Sequence, residues 1–226
     1  IARMEQTLEK GFNDKDNPLL VKVAESPTLN MVRTLSSIHN IGLGDHTVDG
    51  FGNFVGEGFA YHEYGNLVQK IIELELLTDV DKTRAKKLQT YRDALKKSTS
   101  GKTVKKDKVK EALDTGRDLF PEEIYTNTHE QLMYVVRIFH ALFQASTSSV
   151  DSSLVVQGMV FGNFGKNSGF GSFYTHDIIE GDSRISGEYF EEAFDARQKK
   201  GVPLEKVSKG LYKELDRIGS ELEKHF

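Results

Sequence analysis

The spacing of the apolar residues changes once along this chain, at a polar break over residues 146–153. Before the break, apolar residues recur every three or four positions over residues 59–77 and 128–144, which predicts amphipathic helices. After it, residues 154–161 form a short β-branched run that leads into glycines, which predicts a strand. Because helices and strands have different periods, the switch predicts an α+β fold with a segregated helical region.

Other segments complete this prediction. A buried strand is expected at residues 19–23, and helix formers occupy residues 34–40. The remaining predicted elements are a short helix over 4–12, charged outer helices over 83–97 and 105–113, a returning hairpin strand over 173–176, a strand over 185–190, and a closing helix over 203–226 packed by its apolar face.

Composition excludes several kinds of protein. The chain has no cysteine, which removes disulfides, thiolate zinc sites and cysteine nucleophiles. A formal net charge of -4 gives no reason to expect nucleic acid or an anionic membrane as a partner. No apolar run approaches the roughly 20 residues of a membrane helix, so we expect a soluble intracellular protein. The start in mid-helix without methionine predicts that preceding residues are missing.

Two glycine-containing motifs need to be weighed. The Gly101-Lys102-Thr103 triplet ends like a phosphate-binding loop, but Lys96 stands where that loop needs its first glycine, so a solvated loop is favoured. The glycine-rich loop over 162–171 contains Ser168, Gly169 and Gly171 and either exposes amide donors to phosphate or forms a hairpin turn.

Polar residues follow this loop. His176, Asp177, Asp182 and Glu188 could include a magnesium ligand and a phosphate contact, because carboxylate oxygens bind Mg²⁺. Ordinary surface polarity explains the same residues, since charged side chains are usually exposed. The pattern alone leaves both interpretations open.

Several stretches together resemble one family. NPLLVKV at 17–23 and NIGLGD at 40–45 are followed by FAYHEY at 59–64, EQL at 130–132, VQGMVFGN at 156–163, and GEY at 187–189. The last helix carries LYKEL and LEKH. In this order they resemble the pyruvate, phosphate dikinases, which have NPLLVSVRSGA, FAYDSYRR, WEQL, VQAMVFGN and GEYLINAQ.

The resemblance implies an ATP-grasp nucleotide-binding region in which two lobes clamp ATP. It implies residues 1–58 as part of the first lobe, 59–150 as a helical subdomain and 151–226 as the second lobe. ATP and Mg²⁺ are the implied cofactors, and the remaining dikinase domains are the implied partners, with a homodimer compatible with the full-length protein. The family's reaction converts ATP, phosphate and pyruvate to AMP, diphosphate and phosphoenolpyruvate through a histidine on a separate domain, in the cytoplasm or an organelle.

Departures from the family pattern fall on residues that the resemblance makes important. Ala24 stands where VRSGA has its phosphate-binding arginine, and Phe194 stands where the family has a glutamine. Arg33 replaces a loop glycine and could restore a charge, while His176 replaces a second arginine. Asp182 occupies the position of a carboxylate and is the expected metal ligand. The predicted nucleotide-binding set is Arg33, Ser168, Gly169, Gly171, His176 and Asp182.

The substitutions leave two functions open. One is a nucleotide-binding region of a dikinase-like phosphotransferase whose activity is impaired. The other is a non-catalytic ATP-grasp relative with a regulatory or assembly role, which the losses at Ala24 and Phe194 favour.

Overall fold

A computed structural model describes residues 1–26, 35, 37–100, 104–145, 153–165, 167–177, 180–193 and 200–225. The chain divides into two compact units, Ile1–Met159 and Val160–Phe226. Helices and small antiparallel sheets occur together, so the predicted α+β class is confirmed.

The first unit contains a three-stranded antiparallel sheet in the order β2-β1-β3. Its strands are β1 (Val21–Glu25), β2 (Ile38–Ile41) and β3 (Leu154–Gly158). Residues distant in sequence become neighbours, because Val21 lies opposite Gly158 and Glu25 lies opposite Leu154. The strands predicted near residues 19 and 154 are therefore confirmed and pair directly.

Helices make up most of this unit. They are α1 (Ala2–Leu8), α2 (Val48–Val55), α3 (Glu57–Glu75), α4 (Lys82–Thr99), α5 (Lys106–Asp114), α6 (Glu123–Thr126) and α7 (Thr128–Ala145). Asp81 caps α4 by accepting bonds from the amides of Thr83 and Arg84, which the first turn of a helix otherwise leaves unpaired. Only a narrow stripe of α4 is buried, as its charged sequence predicts.

Two local elements differ from the sequence-based expectation. Residues 34–40 contain helix formers, but the end of this segment belongs to strand β2. Ile38 and Ile41 are buried there, and the strand gains backbone hydrogen bonds to β1. Helix α2 was not predicted, since its glycines resemble loop residues. A Cβ on Gly50 would lie 1.8 Å from the Lys15 carbonyl oxygen, so this helix needs glycine where it meets the 14–16 turn.

A buried glutamine fixes the chain where it leaves β2. The Gln131 side chain is 1% exposed and accepts a hydrogen bond of 2.8 Å from the Gly42 amide. Its Nε2 donates to the carbonyls of Leu43 at 2.8 Å and Ile124 at 2.7 Å. Since unpaired buried backbone groups are costly, α7 holds residues 42–43 in one conformation.

The second unit is built on an antiparallel sheet in the order β4-β5-β6. Its elements are β4 (Gly169–Tyr174), β5 (Ser186–Glu191), β6 (Val202–Pro203) and α8 (Lys209–His225). Gly219 of α8 is buried and faces Phe173 and Ile185. The closing helix is confirmed, but its predicted apolar face is only partly covered, with Ile218 37% and Leu222 45% exposed.

The predicted division into two lobes around a helical subdomain stays a prediction. Strand β3, which was assigned to the second lobe, lies in the same compact unit as β1.

Candidate functional site

The outward face of β1 carries the position where the dikinase motif has its arginine. Val21 and Val23 are fully buried, whereas Lys22 and Ala24 alternate with them and are partly exposed. Lys22 lies opposite Gln157 and Ala24 opposite Val155, so these four residues share one face of the sheet. Among the described residues Lys22 forms no ion pair.

His39 lies on the same face. It follows Ile38, whose side chain is buried with Val23, and is exposed because alternate strand residues point to opposite faces. Burial of part of the ring lowers the pKa of His39, the ammonium groups of Lys22 and Lys70 lower it further, and the Glu63 carboxylate opposes them. The charges of Lys22 on β1 and Lys70 on α3 therefore both disfavour protonation of this ring.

His39 should make the first unit less stable in mild acid. Its pKa is lowered in the folded state, so below about 6.5 the unfolded chain binds a proton that the folded chain does not. Stability is unaffected by His39 above that pH and falls as the pH drops from about 6.5 to the lowered pKa. Urea unfolding at pH 7.5 and 5.5 should show a smaller acid loss for His39→Gln, and equal losses in both proteins would contradict this.

A buried polar chain lies beside this face. Asn40 is 3% exposed, has a left-handed backbone with φ of 64°, and donates from Nδ2 to Glu63 at 2.5 Å. Glu63 also contacts the His62 ring nitrogen at 2.8 Å. These bonds hold the Glu63 carboxylate in place, and its charge opposes the effect of the lysines on His39.

Tyr64 and Asp45, which belong to dikinase-like stretches, stabilise the fold through a contact with each other. Tyr64 is almost fully buried and its hydroxyl donates to Asp45 at 2.9 Å, while Arg117 contacts the other Asp45 oxygen at 2.5 Å. Burial and the Asp45 charge raise the pKa of Tyr64, so its hydroxyl stays protonated. Arg117 also binds Glu122 at 2.6 Å, so this guanidinium, which lines a small cavity of about 220 Å³, is paired with two carboxylates.

The glycine-rich loop of the second unit uses its polar groups to close on itself. The Ser168 hydroxyl lies 2.8 Å from the Gly162 carbonyl and 2.7 Å from that of Gly165, to either of which it can donate. A Cβ on Gly169 would meet the Tyr189 hydroxyl at 2.2 Å, and one on Gly171 would meet the Glu188 carbonyl at 2.6 Å. Close strand pairing thus explains these glycines, and their predicted contact with phosphate stays a prediction.

The turn after β4 contains the predicted ligands His176 and Asp182. The ring of His176 lies 3.3 Å from Glu223 of α8, which also accepts a bond from Thr175. Asp182 accepts from the Arg184 amide at 3.1 Å and from its Nε at 2.6 Å, one bond to each oxygen. The Arg184 guanidinium therefore competes with Mg²⁺ for the Asp182 carboxylate.

Arg184 is the cation that sequence reasoning missed in this unit. Its side chain is exposed and also pairs with Glu180. The Asp-x-Arg spacing in a polar turn was the available signal. Arg33 and Phe194, by contrast, lie outside the described residues.

Across the described ranges, no three His, Asp or Glu side chains gather as a metal site would require. No helix in those ranges combines the length and hydropathy of a membrane span.

Known proteins resemble this chain throughout. Pyruvate, phosphate dikinase of Treponema pallidum is 30% identical over 227 residues, covering 96% of this chain and 24% of that protein. The enzyme of that name from Clostridium symbiosum is 28% identical, with coverage of 100% and 28%, and the chloroplastic one from Mesembryanthemum crystallinum is 24% identical, with 99% and 26%. No protein-family model matches.

The chain spans about a quarter of the length of these relatives. Because the similarity to these relatives extends over nearly all of this chain, it confirms the resemblance seen in the motifs. This chain is therefore a divergent relative of the pyruvate, phosphate dikinases, corresponding to a part of those proteins.

Proposed function

We propose that this chain is the nucleotide-binding region of a phosphotransferase related to pyruvate, phosphate dikinase, with an ATP-grasp architecture. The whole protein would convert ATP, phosphate and pyruvate to AMP, diphosphate and phosphoenolpyruvate, through a phosphohistidine on another domain. The observation that carries the proposal is the similarity to the Treponema pallidum dikinase over 96% of the chain.

The pairing of β1 with β3 supports this proposal. It places the end of NPLLVKV beside the start of VQGMVFGN, two dikinase-like stretches that the sequence separates by about 130 residues. Both contribute side chains to one outward face, where Lys22 and Gln157 lie opposite each other. Such a face can present an ammonium and an amide to a phosphate chain.

In the proposed reaction, the outward face of β1 and β3 would position the phosphates and offset their negative charge. Phosphoryl transfer depends mainly on fixed positive charge and metal, because negative charge is spread over the transferred group. Bound Mg²⁺ would supply part of that charge. The described residues do not fit it well, since no three His, Asp or Glu side chains among them gather at one place and Arg184 competes for the Asp182 carboxylate.

A second candidate function is a non-catalytic relative that binds nucleotide as a regulatory or assembly module. The methyl group of Ala24 supports it, since it places no charge on the face where the dikinase motif has an arginine. Assaying the full-length protein for AMP formation from ATP separates the two. Nucleotide binding without AMP formation would favour the module.

Restoring the charge should strengthen nucleotide binding. In Ala24→Arg, a guanidinium on the outward face can make charge-assisted bonds to phosphate, and we expect roughly tenfold tighter MgATP binding by calorimetry. Gln89→Arg adds the same charge on exposed α4 and is the matched control.

Two results would count against the nucleotide proposal. Absence of MgATP binding by both the full-length protein and its Ala24→Arg variant would remove the nucleotide-binding role. An equal gain in Gln89→Arg would show that net charge, not the position of Ala24, controls binding.

A further inference from the structure

The helical part of the first unit carries a groove that the proposed nucleotide function does not use. It runs between α4 and the 115–119 segment and encloses about 730 Å³. Small-molecule sites commonly have volumes of about 300–1,000 Å³. None of the described residues that line the groove belongs to a strand or to one of the dikinase-like stretches. Its chemistry therefore has to be explained separately.

Hydrogen bonds hold the two walls of this groove together. The Arg84 guanidinium of α4 donates to the Leu119 carbonyl at 3.0 Å. About two turns further along the helix, the Tyr91 hydroxyl donates to the Leu113 carbonyl at 3.0 Å. A Cβ on Gly116 would lie 2.3 Å from the Tyr91 ring, so the segment between these bonds rests directly on α4. Such a preformed groove lowers the entropic cost of binding a ligand.

The groove combines positive charge with apolar surface. Its positively charged side chains, which we call the lysine cluster, are those of Lys82, Lys86 and Lys87. Its apolar side chains, which we call the apolar patch, are those of Tyr91, Ala94 and Leu119. A ligand that matches both must carry an anionic group on an apolar body.

The lysine cluster has no ion-pair partner within the described residues. The ion pairs that α4 forms there use Arg84 and Arg92 instead. Asp118 also lines the groove but does not pair with the cluster in that part of the chain. Three ammonium groups less one carboxylate leave the lining with a charge of +2. A phosphate monoester, whose charge near pH 7 is about -1.5 to -2, would neutralise it.

Helix formation does not explain the lysine cluster. Lys82 and Lys86 are four residues apart and are therefore neighbours on one face of α4, where like charges repel each other. The cluster also lies in the first turns of the helix, where its dipole favours acidic residues, yet the first turn contains none. An anion bound in the groove would offset both unfavourable effects.

We propose that this groove binds a small organic phosphate, with its phosphate group at the lysine cluster and its apolar body against the apolar patch. The ammonium groups would hold the phosphate through charge-assisted hydrogen bonds. Burial of the apolar body would favour such a ligand over inorganic phosphate. Asp118 would repel a second anionic group, which favours a ligand that is charged at one end only.

The compound 1-naphthyl phosphate is a direct probe, because it joins one phosphate to a flat apolar ring. Calorimetry at low salt should show saturable binding of one probe per chain. Inorganic phosphate and 1-naphthol each carry half of this chemistry and should bind at least about tenfold more weakly. The single negative charge of 1-naphthoate should also make it bind more weakly than the phosphate.

Substitutions in the charged part of the lining test the lysine cluster. Lys86→Gln should weaken probe binding about five- to tenfold through loss of a charge-assisted contact, and Lys86→Arg should retain most of the affinity. Asp118→Asn should tighten binding by a few fold, because it removes the opposing charge. Lys97→Gln removes a charge from α4 outside the groove and should leave binding nearly unchanged.

A substitution in the apolar patch tests the other half of the site. Ala94→Glu places a carboxylate in the groove and should weaken probe binding more than about tenfold. Gln89→Glu adds the same charge to α4 at a residue that does not line the groove, so it is the matched control. Circular dichroism of both variants should match the parent, since glutamate favours a helix and neither position is fully buried.

Several results would overturn the proposal. Absence of saturable probe binding would remove the site. Equal binding of inorganic phosphate and 1-naphthyl phosphate would show that the lysines attract anions without any role for the apolar patch. Equal losses in Lys86→Gln and Lys97→Gln, or unchanged binding by Ala94→Glu, would place the probe outside this groove.

Discussion

Replacing Gln131 with methionine should lower the free energy of unfolding of the first unit by about 3–5 kcal/mol. Methionine is similar in size, but its thioether cannot donate to the two carbonyls and is only a weak acceptor for the amide. The Gly42 amide and the carbonyls of Leu43 and Ile124 would then be left without this partner in a site that is 1% exposed. Each unpaired buried group costs roughly 1–3 kcal/mol.

Urea unfolding followed by circular dichroism would measure this loss. Gln89→Met is the matched control, because Gln89 is exposed on α4 and should tolerate the change within about 0.5 kcal/mol. A Gln131→Met protein as stable as its parent would show that water or a local shift replaces these bonds.

A second large effect is expected from replacing Gly50 of α2 with alanine. The substitution should lower stability, although helix propensity alone would predict an increase. Alanine normally stabilises a helix by about 1 kcal/mol relative to glycine. At Gly50, however, the added Cβ would lie 1.8 Å from the Lys15 carbonyl oxygen and 2.7 Å from its carbonyl carbon. Because both atoms belong to the backbone, the helix and the 14–16 turn must separate, and we expect Gly50→Ala to destabilise the unit by more than about 2 kcal/mol.

Gly52 provides the control within the same helix. Its added Cβ would meet its nearest neighbour, the Glu57 Cα, at 3.4 Å, which is ordinary contact. Gly52→Ala should therefore be neutral or slightly stabilising. Thermal unfolding of the two variants side by side tests the difference, and stabilisation by both would mean that propensity outweighs the contact with Lys15.

The sequence predicted the elements whose signal is local. Helices α3 and α7 were confirmed, because their apolar residues repeat over several turns and leave one face for the core. Strand β3 was confirmed by its β-branched run, and the dikinase resemblance by motifs that occur in order along the chain. The strand β2 gave no such signal, since it is short and stable only beside β1.

The candidate site was less accessible to sequence reasoning. Ala24 was singled out as a lost charge by its place in a motif, which stays a prediction, and Lys22 on the same strand face was not considered. Only the strand register shows that Lys22 shares a face with Ala24 and His39. Similarly, the bonds from Arg184 to both Asp182 oxygens were hidden, although the two residues are neighbours in sequence.

By itself, the sequence determined the α+β class, the positions of the long helices and the relationship to the dikinases, because periodicity and ordered motifs are properties of the chain read locally. Tertiary structure alone decided that β1 pairs with β3, that Gln131 holds residues 42–43, and that Lys22 and His39 share one face of the sheet. These contacts join residues far apart in the chain, and their geometry depends on how the sheet and helices pack together.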